Sequence, residues 1–282
     1  MKLSLIICSR KRTISKELSD NIAETIGCTY ELLIIDNSQN QYSIFEVYNL
    51  GIKKSNGSFL CFMHDDVLLH TKNWGTILQS IFNANEKVGL IGIAGAKVKT
   101  KMVSPWWNCH KDQQVINIIQ HNKNDEPEKT MTGFDEGSEA EVVVIDGVFM
   151  ALRKSMNIRF SEVMVGYHNY DLNISFECKK NGCQIMVTNQ ILIEHFSSGM
   201  LNKDWLSSTY KIHKMYKSIL PLQVKPHILK NGDEIRNAFS FINQCFEFKK
   251  QRLGYLVWYK LFLLQPNFKY HFNLWKSIKN KI

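Results

Sequence analysis

Ser58-Phe59-Leu60-Cys61-Phe62-Met63-His64-Asp65-Asp66-Val67 is the stretch on which the reading of this chain turns. The apolar run Phe59 to Met63 follows the turn pair Asn56-Gly57 and contains no proline, which predicts a short buried strand. That strand runs straight into two adjacent acids. In an open α/β sheet, ligands bind in the crevice beyond the carboxyl ends of the strands. Two neighbouring carboxylates there repel each other unless a cation or a set of donors holds them, and hard cations such as Mg²⁺ prefer carboxylates together with substrate phosphates. The plainer alternative is a solvated acid pair or a helix cap, because Trp74 to Phe82 downstream has helical spacing.

Outward from this strand the first half alternates. Leu3 to Cys8, Glu31 to Asp36, Phe59 to Met63 and Val88 to Ala94 read as strands. Ser15 to Ile26, Tyr42 to Lys54 and Trp74 to Asn85 read as helices, the first ended by Gly27 and the second by Asn56-Gly57. Such alternation predicts a parallel, doubly wound sheet. From Lys97 to Ala140 the pattern dissolves into polar residues, which suggests loops or an insertion. Glu141 to Leu152 and Gln184 to Glu194 read as two further strands, with a helix from Tyr170 to Lys180 between them. After Gly199 the periodicity is helical. Asp233 is placed to cap a helix presenting Ile235, Phe239, Ile242 and Phe246, and Pro266 opens a last helix presenting Phe268, Phe272, Trp275 and Ile278.

The 282 residues are 44% apolar, enough for one large domain or for one domain with a substantial appendage. The seven cysteines form no CxxC pair, so they read as thiols of a reducing compartment rather than a disulfide or zinc framework. The apolar run after Met1-Lys2 is too short for a signal peptide, and no stretch reaches membrane-spanning length. A cytoplasmic protein is expected. The net charge of +9 is unevenly spread: residues 1–199 carry 20 Lys and Arg against 22 Asp and Glu, whereas residues 200–282 carry 15 against 4. That distribution disfavours a uniformly basic nucleic-acid binder and favours a near-neutral domain with a basic tail.

A doubly wound sheet brings its strand ends to one edge. That edge would carry Ser9-Arg10, Asp36-Asn37-Ser38 and His64-Asp65-Asp66. Asp36 is placed to accept hydrogen bonds from a ribose or base, although Asp-Asn-Ser is also strong turn sequence. Neither a Gly-x-Gly-x-x-Gly nor a Walker loop is present, which argues against dinucleotide and P-loop sites.

Here the chain resembles a family. Leu3-Ser4-Leu5-Ile6-Ile7-Cys8-Ser9-Arg10, Leu33-Ile34-Ile35-Asp36-Asn37-Ser38, Tyr48-Asn49-Leu50-Gly51-Ile52, Val144-Ile145-Asp146-Gly147-Val148-Phe149-Met150-Ala151, Tyr170-Asp171-Leu172-Asn173 and His195-Phe196-Ser197-Ser198-Gly199 look, in this order, like family 2 glycosyltransferases. The resemblance covers residues 1 to about 200. It implies a GT-A-type, Rossmann-like doubly wound mixed sheet flanked by helices, with a C-terminal helical appendage. The implied division is a catalytic domain over 1–200 (a nucleotide-sugar half to 96, an acceptor half from 97) and a basic helical segment over 201–282. By the same resemblance Asp66 corresponds to the second acid of the Asp-x-Asp motif and holds a divalent cation, Mn²⁺ or Mg²⁺, with His195 facing the diphosphate or completing the metal shell. His64 stands where the first acid usually is, as in a subgroup with a His-x-Asp-Val version. Ser9, Arg10, Asp36, Asn49, His64 and Asp65 would line the nucleotide sugar. Asp171 matches the general base of a Glu-Asp element whose Glu is Tyr170 here. Asp146, Gly147, His168, Trp106 and Trp107 fall on the acceptor side.

The chemistry suits those residue types. Transfer from a nucleotide-diphosphate sugar needs charge on the departing phosphate neutralised, and one carboxylate to take the proton of the attacking acceptor hydroxyl. Asp171 lies in the first turn of its helix, where the dipole favours the ionised form, though a plain helix-starting acid would sit there too. His195 and His168 read equally as hydrogen-bonded or capping histidines. Trp106-Trp107 reads as a sugar-stacking platform or as a lid on the core. The expected enzyme is an inverting, metal-dependent glycosyltransferase acting on a glycan or lipid-linked acceptor, in surface glycan or polysaccharide synthesis. The alternatives are a sugar nucleotidyltransferase, disfavoured by the glycine-free segment after Cys8, and a degenerate sugar- or membrane-binding module. The basic tail, with lysines beside the aromatics of the last helix, would bring the enzyme to an anionic membrane surface, or its aromatics would pack on the catalytic domain.

Overall fold

β1 (Leu3–Ser9), α1 (Lys16–Thr25), β2 (Tyr30–Asp36), α2 (Ile44–Lys54) and β3 (Phe59–Met63) follow one another in the computed structural model, which describes residues 2–135, 137–197, 199 and 201–279. Both crossovers leave the strands parallel, with β1 between β2 and β3. Side chains alternate across these strands, so Leu5, Ile7, Cys61 and Met63 enter one core and Ile6, Leu60 and Phe62 the other. Both faces are therefore covered, which is why the strands read as unbroken apolar runs. Ser15 caps α1 by accepting from the Leu18 N–H at 3.1 Å, and Ser43 and Glu46 form a capping box on α2. Gly51 seats α2 on β1, since a Cβ there would lie 2.3 Å from the Ile6 Cγ2.

β4 (Val67–Leu69), α3 (Trp74–Ala84), β5 (Val88–Gly92), β6 (Ala94–Ala96) and β7 (Val98–Lys99) come next, then β8 (Gln114–His121), β9 (Pro127–Thr132), β10 (Glu139–Val142), β11 (Val144–Ile145) and β12 (Phe149–Arg153). α4 (Tyr170–Lys180), β13 (Gln184–Thr188) and β14 (Ile193–His195) complete the two principal sheets. The main sheet has the order β10-β13-β5-β12-β3-β1-β2. β12 runs antiparallel between β3 and β5, so the sheet is mixed where the second half of the chain enters it. The second sheet has the order β11-β6-β8-β14-β4, with β9 beside β8.

Three sequence expectations change here. The segment 97–140, expected as loops, contributes the β8–β9 hairpin. Glu141 to Leu152 is divided among three strands in both sheets, with the break at Asp146-Gly147. Gln184 to Glu194 likewise splits into β13 and β14, one in each sheet.

The C-terminal part comprises α5 (Lys203–Met215), β15 (Leu222–Gln223), α6 (Asn231–Glu247), α7 (Gln251–Leu264) and α8 (Phe268–Ile278). It is stitched to the first part: β15 pairs with β7, and the Glu234 carboxylate accepts from the Lys101 and Met102 N–H groups at 2.9 and 2.7 Å. Asp233 is not the cap of α6 but its third residue, accepting from the Lys230 N–H at 2.8 Å. The apolar face expected on α8 divides: Ile278 is fully buried with Leu274, whereas Phe272 and Trp275 face outward. The Phe268 side chain and Ser198 lie outside the described residues. Among those described, no helix is long and apolar enough to cross a membrane.

Asn49, expected to line the nucleotide sugar, clamps the main chain at Phe160. Its Nδ2 donates to the Phe160 carbonyl at 2.9 Å and its Oδ1 accepts the Phe160 N–H at 3.0 Å. Truncation leaves two buried main-chain groups unpaired, so Asn49→Ala should lower stability by about 1–3 kcal/mol. Urea denaturation should show the loss, with nucleotide affinity unchanged.

Candidate active site

The His64-Asp65-Asp66 run crosses from one sheet to the other, because β3 belongs to the main sheet and β4 to the second. Its backbone is tied on both sides: the His64 N–H donates to the Val148 carbonyl and the Asp66 carbonyl accepts from the Phe196 N–H, both at 3.1 Å. In the β4–β14 ladder Val67 stands opposite His195. The pairing thus brings a residue 131 positions from His64 alongside it.

The two acids diverge. The Asp65 Oδ2 accepts from the Ser9 hydroxyl at 3.0 Å and from the Arg10 N–H at 3.4 Å. Ser9 is itself the register partner of Asp36, so four of the expected nucleotide-side residues, Ser9, Arg10, Asp36 and Asp65, meet at the β1–β2 edge. Asp36 accepts the Ser38 N–H at 2.9 Å in an Asx turn, and that bond holds its carboxyl below the ordinary range. Asp66 turns the other way. Its Oδ1 is 3.6 Å from the His64 Nδ1 and 3.5 Å from the His195 Nε2, and the two ring nitrogens are 3.3 Å apart. Burial pushes the Asp66 carboxyl upward, but hydrogen bonds from His195, His64 and Ser197 outweigh it and hold the group well below the usual carboxylate range.

The surroundings aim both rings. The Gln120 Nε2 donates to the carbonyls of Ser197 and His121 at 2.7 and 3.0 Å, which leaves its Oε1 against the His195 Nδ1 at 2.9 Å. That oxygen can only accept, so the His195 Nδ1 carries a proton, and its Nε2 faces Asp66, donating to the carboxylate when it is protonated and offering a lone pair to a cation when it is not. The Tyr170 hydroxyl lies 2.6 Å from the His64 Nε2. A hydroxyl can donate or accept; when it accepts from Nε2–H, the His64 Nδ1 turns a lone pair inward. The ligand atoms of His64, Asp66 and His195 all lie within 4.8 Å of one another, the single such group of three among the described residues. Two imidazole nitrogens and a carboxylate fit a first-row divalent ion such as Mn²⁺ better than Mg²⁺, which favours oxygen.

Behind this cluster, Gly147 makes room for Tyr170: a Cβ would sit 2.5 Å from the hydroxyl. Asp146 is also engaged, accepting the Val148 N–H at 2.8 Å and the Trp106 Nε1–H at 2.9 Å. Trp106 is accordingly buried and closes the core, whereas Trp107 is 42% exposed and stacks on Trp205. The expected tandem platform is therefore reduced to one ring. Asp171 departs from the helix-dipole expectation. Burial, then the negative charge of Asp146, pushes its carboxyl up to about 7, against the weaker pull of N–H groups at the helix start. His168 sits in the loop before α4, its imidazole held below its ordinary value by burial. It helps line a cavity of about 500 Å³ with Tyr167, Asn202, Asp204, Ser208 and Lys211.

Residues 4–218 match the model of a glycosyltransferase-like family. The chain belongs to that family. A search of the curated proteins finds no match. Among solved structures, it resembles S. aureus TarS residues 1–349 in complex with UDP-GlcNAc at a TM-score of 0.50 and 12% identity, over 88% of this chain and 73% of that one. It resembles GalNAc-T7 with UDP, GalNAc and Mn²⁺ at a TM-score of 0.52 and 9% identity, over 76% of this chain and 47% of that one. The fold is that of GT-A glycosyltransferases. His64 and Tyr170, the two positions at which the resemblance read from the sequence expects acids, touch each other.

Gln120, Ser197 and the contact of Tyr170 with His64 are not evident from the sequence. Gln120 becomes legible only through register, because it stands opposite His195 in the β8–β14 ladder. Tyr170→Phe keeps the ring and removes the acceptor. It should weaken Mn²⁺ binding, read by calorimetry, by about 10–100-fold, the usual effect of removing such a supporting partner. The unfolding midpoint should change little.

Proposed function

We propose that the chain is an inverting, divalent-cation-dependent glycosyltransferase that moves a sugar from a nucleotide-diphosphate sugar to a hydroxyl of a glycan or lipid-linked acceptor. The observation that carries this reading is the meeting of His64, Asp66 and His195 beside the Ser9–Asp65 edge, with Asp171 next to the tyrosine that contacts His64. On this reading Ser9, Arg10, Asp36 and Asp65 receive the nucleoside and ribose. A cation held by the three ligands would neutralise charge growing on the departing diphosphate. Asp171 takes the proton of the acceptor hydroxyl as that oxygen attacks the anomeric carbon opposite the leaving group, so a single displacement inverts the configuration. A carboxylate whose affinity for protons lies near neutrality suits that task better than one held near its ordinary value. The cavity beside His168 supplies an aromatic ring for a sugar's C–H face and polar side chains for its hydroxyls.

The neighbours solved with UDP-GlcNAc and with UDP, GalNAc and Mn²⁺ make UDP-sugars and Mn²⁺ the first probes. UDP with Mn²⁺ at a hundredfold its dissociation constant should add about 2.7 kcal/mol of stability in a thermal-shift panel. Proton NMR of the product should show the anomeric configuration opposite to that of the donor; retention excludes the single-displacement reading. Asp171→Asn should lower kcat by about 10²–10⁴-fold while donor affinity is kept, and an equal loss of donor binding would place Asp171 in the nucleotide pocket instead.

The pH dependence is set by the same group. Asp171 acts when ionised, so kcat/KM should rise with pH through about 7. Asp146→Asn removes a like charge and should move that acid limb to lower pH. A limb that stays in place separates the two carboxylates.

A further inference from the structure

We infer that the outward face of α7, continued by α8, docks on an anionic lipid surface. α7 is apolar on both sides. Val257 and Leu261 are fully buried, and Gly254 lies where a Cβ would be 2.9 Å from the Phe246 ring, so the inner side is taken up by the helical core with α6. On the outer side Tyr255, Leu256, Tyr259, Phe262 and Leu263 follow i, i+1, i+4, i+7, i+8 and are 45–65% exposed. A helix facing water carries polar residues along such a stripe. Tyr270 and Trp275 of α8 are also exposed. An apolar patch of this extent marks an interaction surface.

The charge around it says what covers it. From Phe248 to the end of the sequence there are eight Lys and Arg and no Asp or Glu. The Lys276 Nζ lies 4.5 Å from the Phe272 ring centre and the Lys279 Nζ 5.8 Å from that of Trp275, so ammonium groups sit at the edge of the aromatic surface. Tyr and Trp rings ringed by lysines are the composition found at the boundary between headgroups and acyl chains. A second copy fits poorly, because it would bring the Lys276 and Lys279 ammonium groups beside the aromatic surface against the same groups of the other copy, and lysine is depleted in the cores of protein interfaces. Phosphate-bearing headgroups supply the opposite charge. With no helix among the described residues able to span a bilayer, the geometry is that of a helix pair lying in the interface plane. This inference does not rest on the catalytic reading, and its failure leaves that reading intact.

Sedimentation of the full chain with phosphatidylcholine vesicles, with and without phosphatidylserine, tests it. Binding is expected with phosphatidylserine at low salt, reduced at high salt, with the protein left in the supernatant by phosphatidylcholine alone. Tyr259→Ser combined with Phe262→Ser and Leu263→Ser removes apolar contact from exposed positions and should lower partitioning by at least about 10-fold. Should that variant fold poorly, Lys276→Gln with Lys279→Gln should still lower it several-fold. A protein that stays in the supernatant with both vesicles overturns the inference, as does equal binding to both. A concentration-dependent dimer abolished by the serine variant, without vesicle binding, assigns the face to a second copy and overturns it as well.

Discussion

Asp66 pressed between two imidazoles is the contact on which the rest of the site depends. A partly buried carboxylate next to another acid is unfavourable without partners, and the fold provides them by running the chain from one sheet into another. Because β4 pairs with β14, His195 arrives from far along the sequence, and because β3 ends at His64, the first imidazole arrives from immediately before the acids. Asp65 meanwhile finds Ser9 across the main sheet. The repulsion expected of the pair is relieved by sending the two charges to different partners, Asp65 to Ser9 and the Arg10 N–H and Asp66 to His64 and His195.

His64 and Tyr170, read from the sequence as standing where acids were expected, form one feature. With an imidazole at position 64 the cluster holds one negative charge fewer than an Asp-x-Asp centre would. With Tyr170 beside it, a neutral hydroxyl replaces a second acid and can either give a proton to the ring or take one from it. Gly147 then follows as a requirement of space, since any side chain there would displace the tyrosine. Asp146 keeps its charge on the indole of Trp106 and on a backbone N–H, yet stays close enough to Asp171 to raise that carboxyl's affinity for protons.

What could be read from sequence was what is buried on both faces or capped locally. β1 and β3 are buried and largely apolar, β2 is half-buried but carries the apolar run Leu32 to Ile35, and α1 and α2 carry Ser15 and Ser43 at their starts. β9, an exposed edge strand of Pro-Glu-Lys-Thr-Met-Thr, has no apolar alternation to betray it. The run from Glu141 to Leu152 reads as one strand because its apolar residues outweigh the turn-type pair Asp146-Gly147, at which the chain leaves the second sheet for the main one. Of the candidate site, the order of the acids and His195 along the chain was legible, whereas the partners of Asn49 at Phe160 and of Trp106 at Asp146 are tertiary contacts that sequence does not display. The outer face of α7 escaped for the converse reason: an apolar residue at helical spacing reads as core, and sequence does not say on which side of the helix the core ends.

The most direct test of the central claim is pulsed electron paramagnetic resonance of the Mn²⁺-loaded protein, with and without ¹⁵N-labelled histidine. The account predicts coupling to two imidazole nitrogens that changes on labelling, and loss of tight Mn²⁺ binding in Asp66→Asn. Tight Mn²⁺ binding with no histidine nitrogen coupling would contradict it.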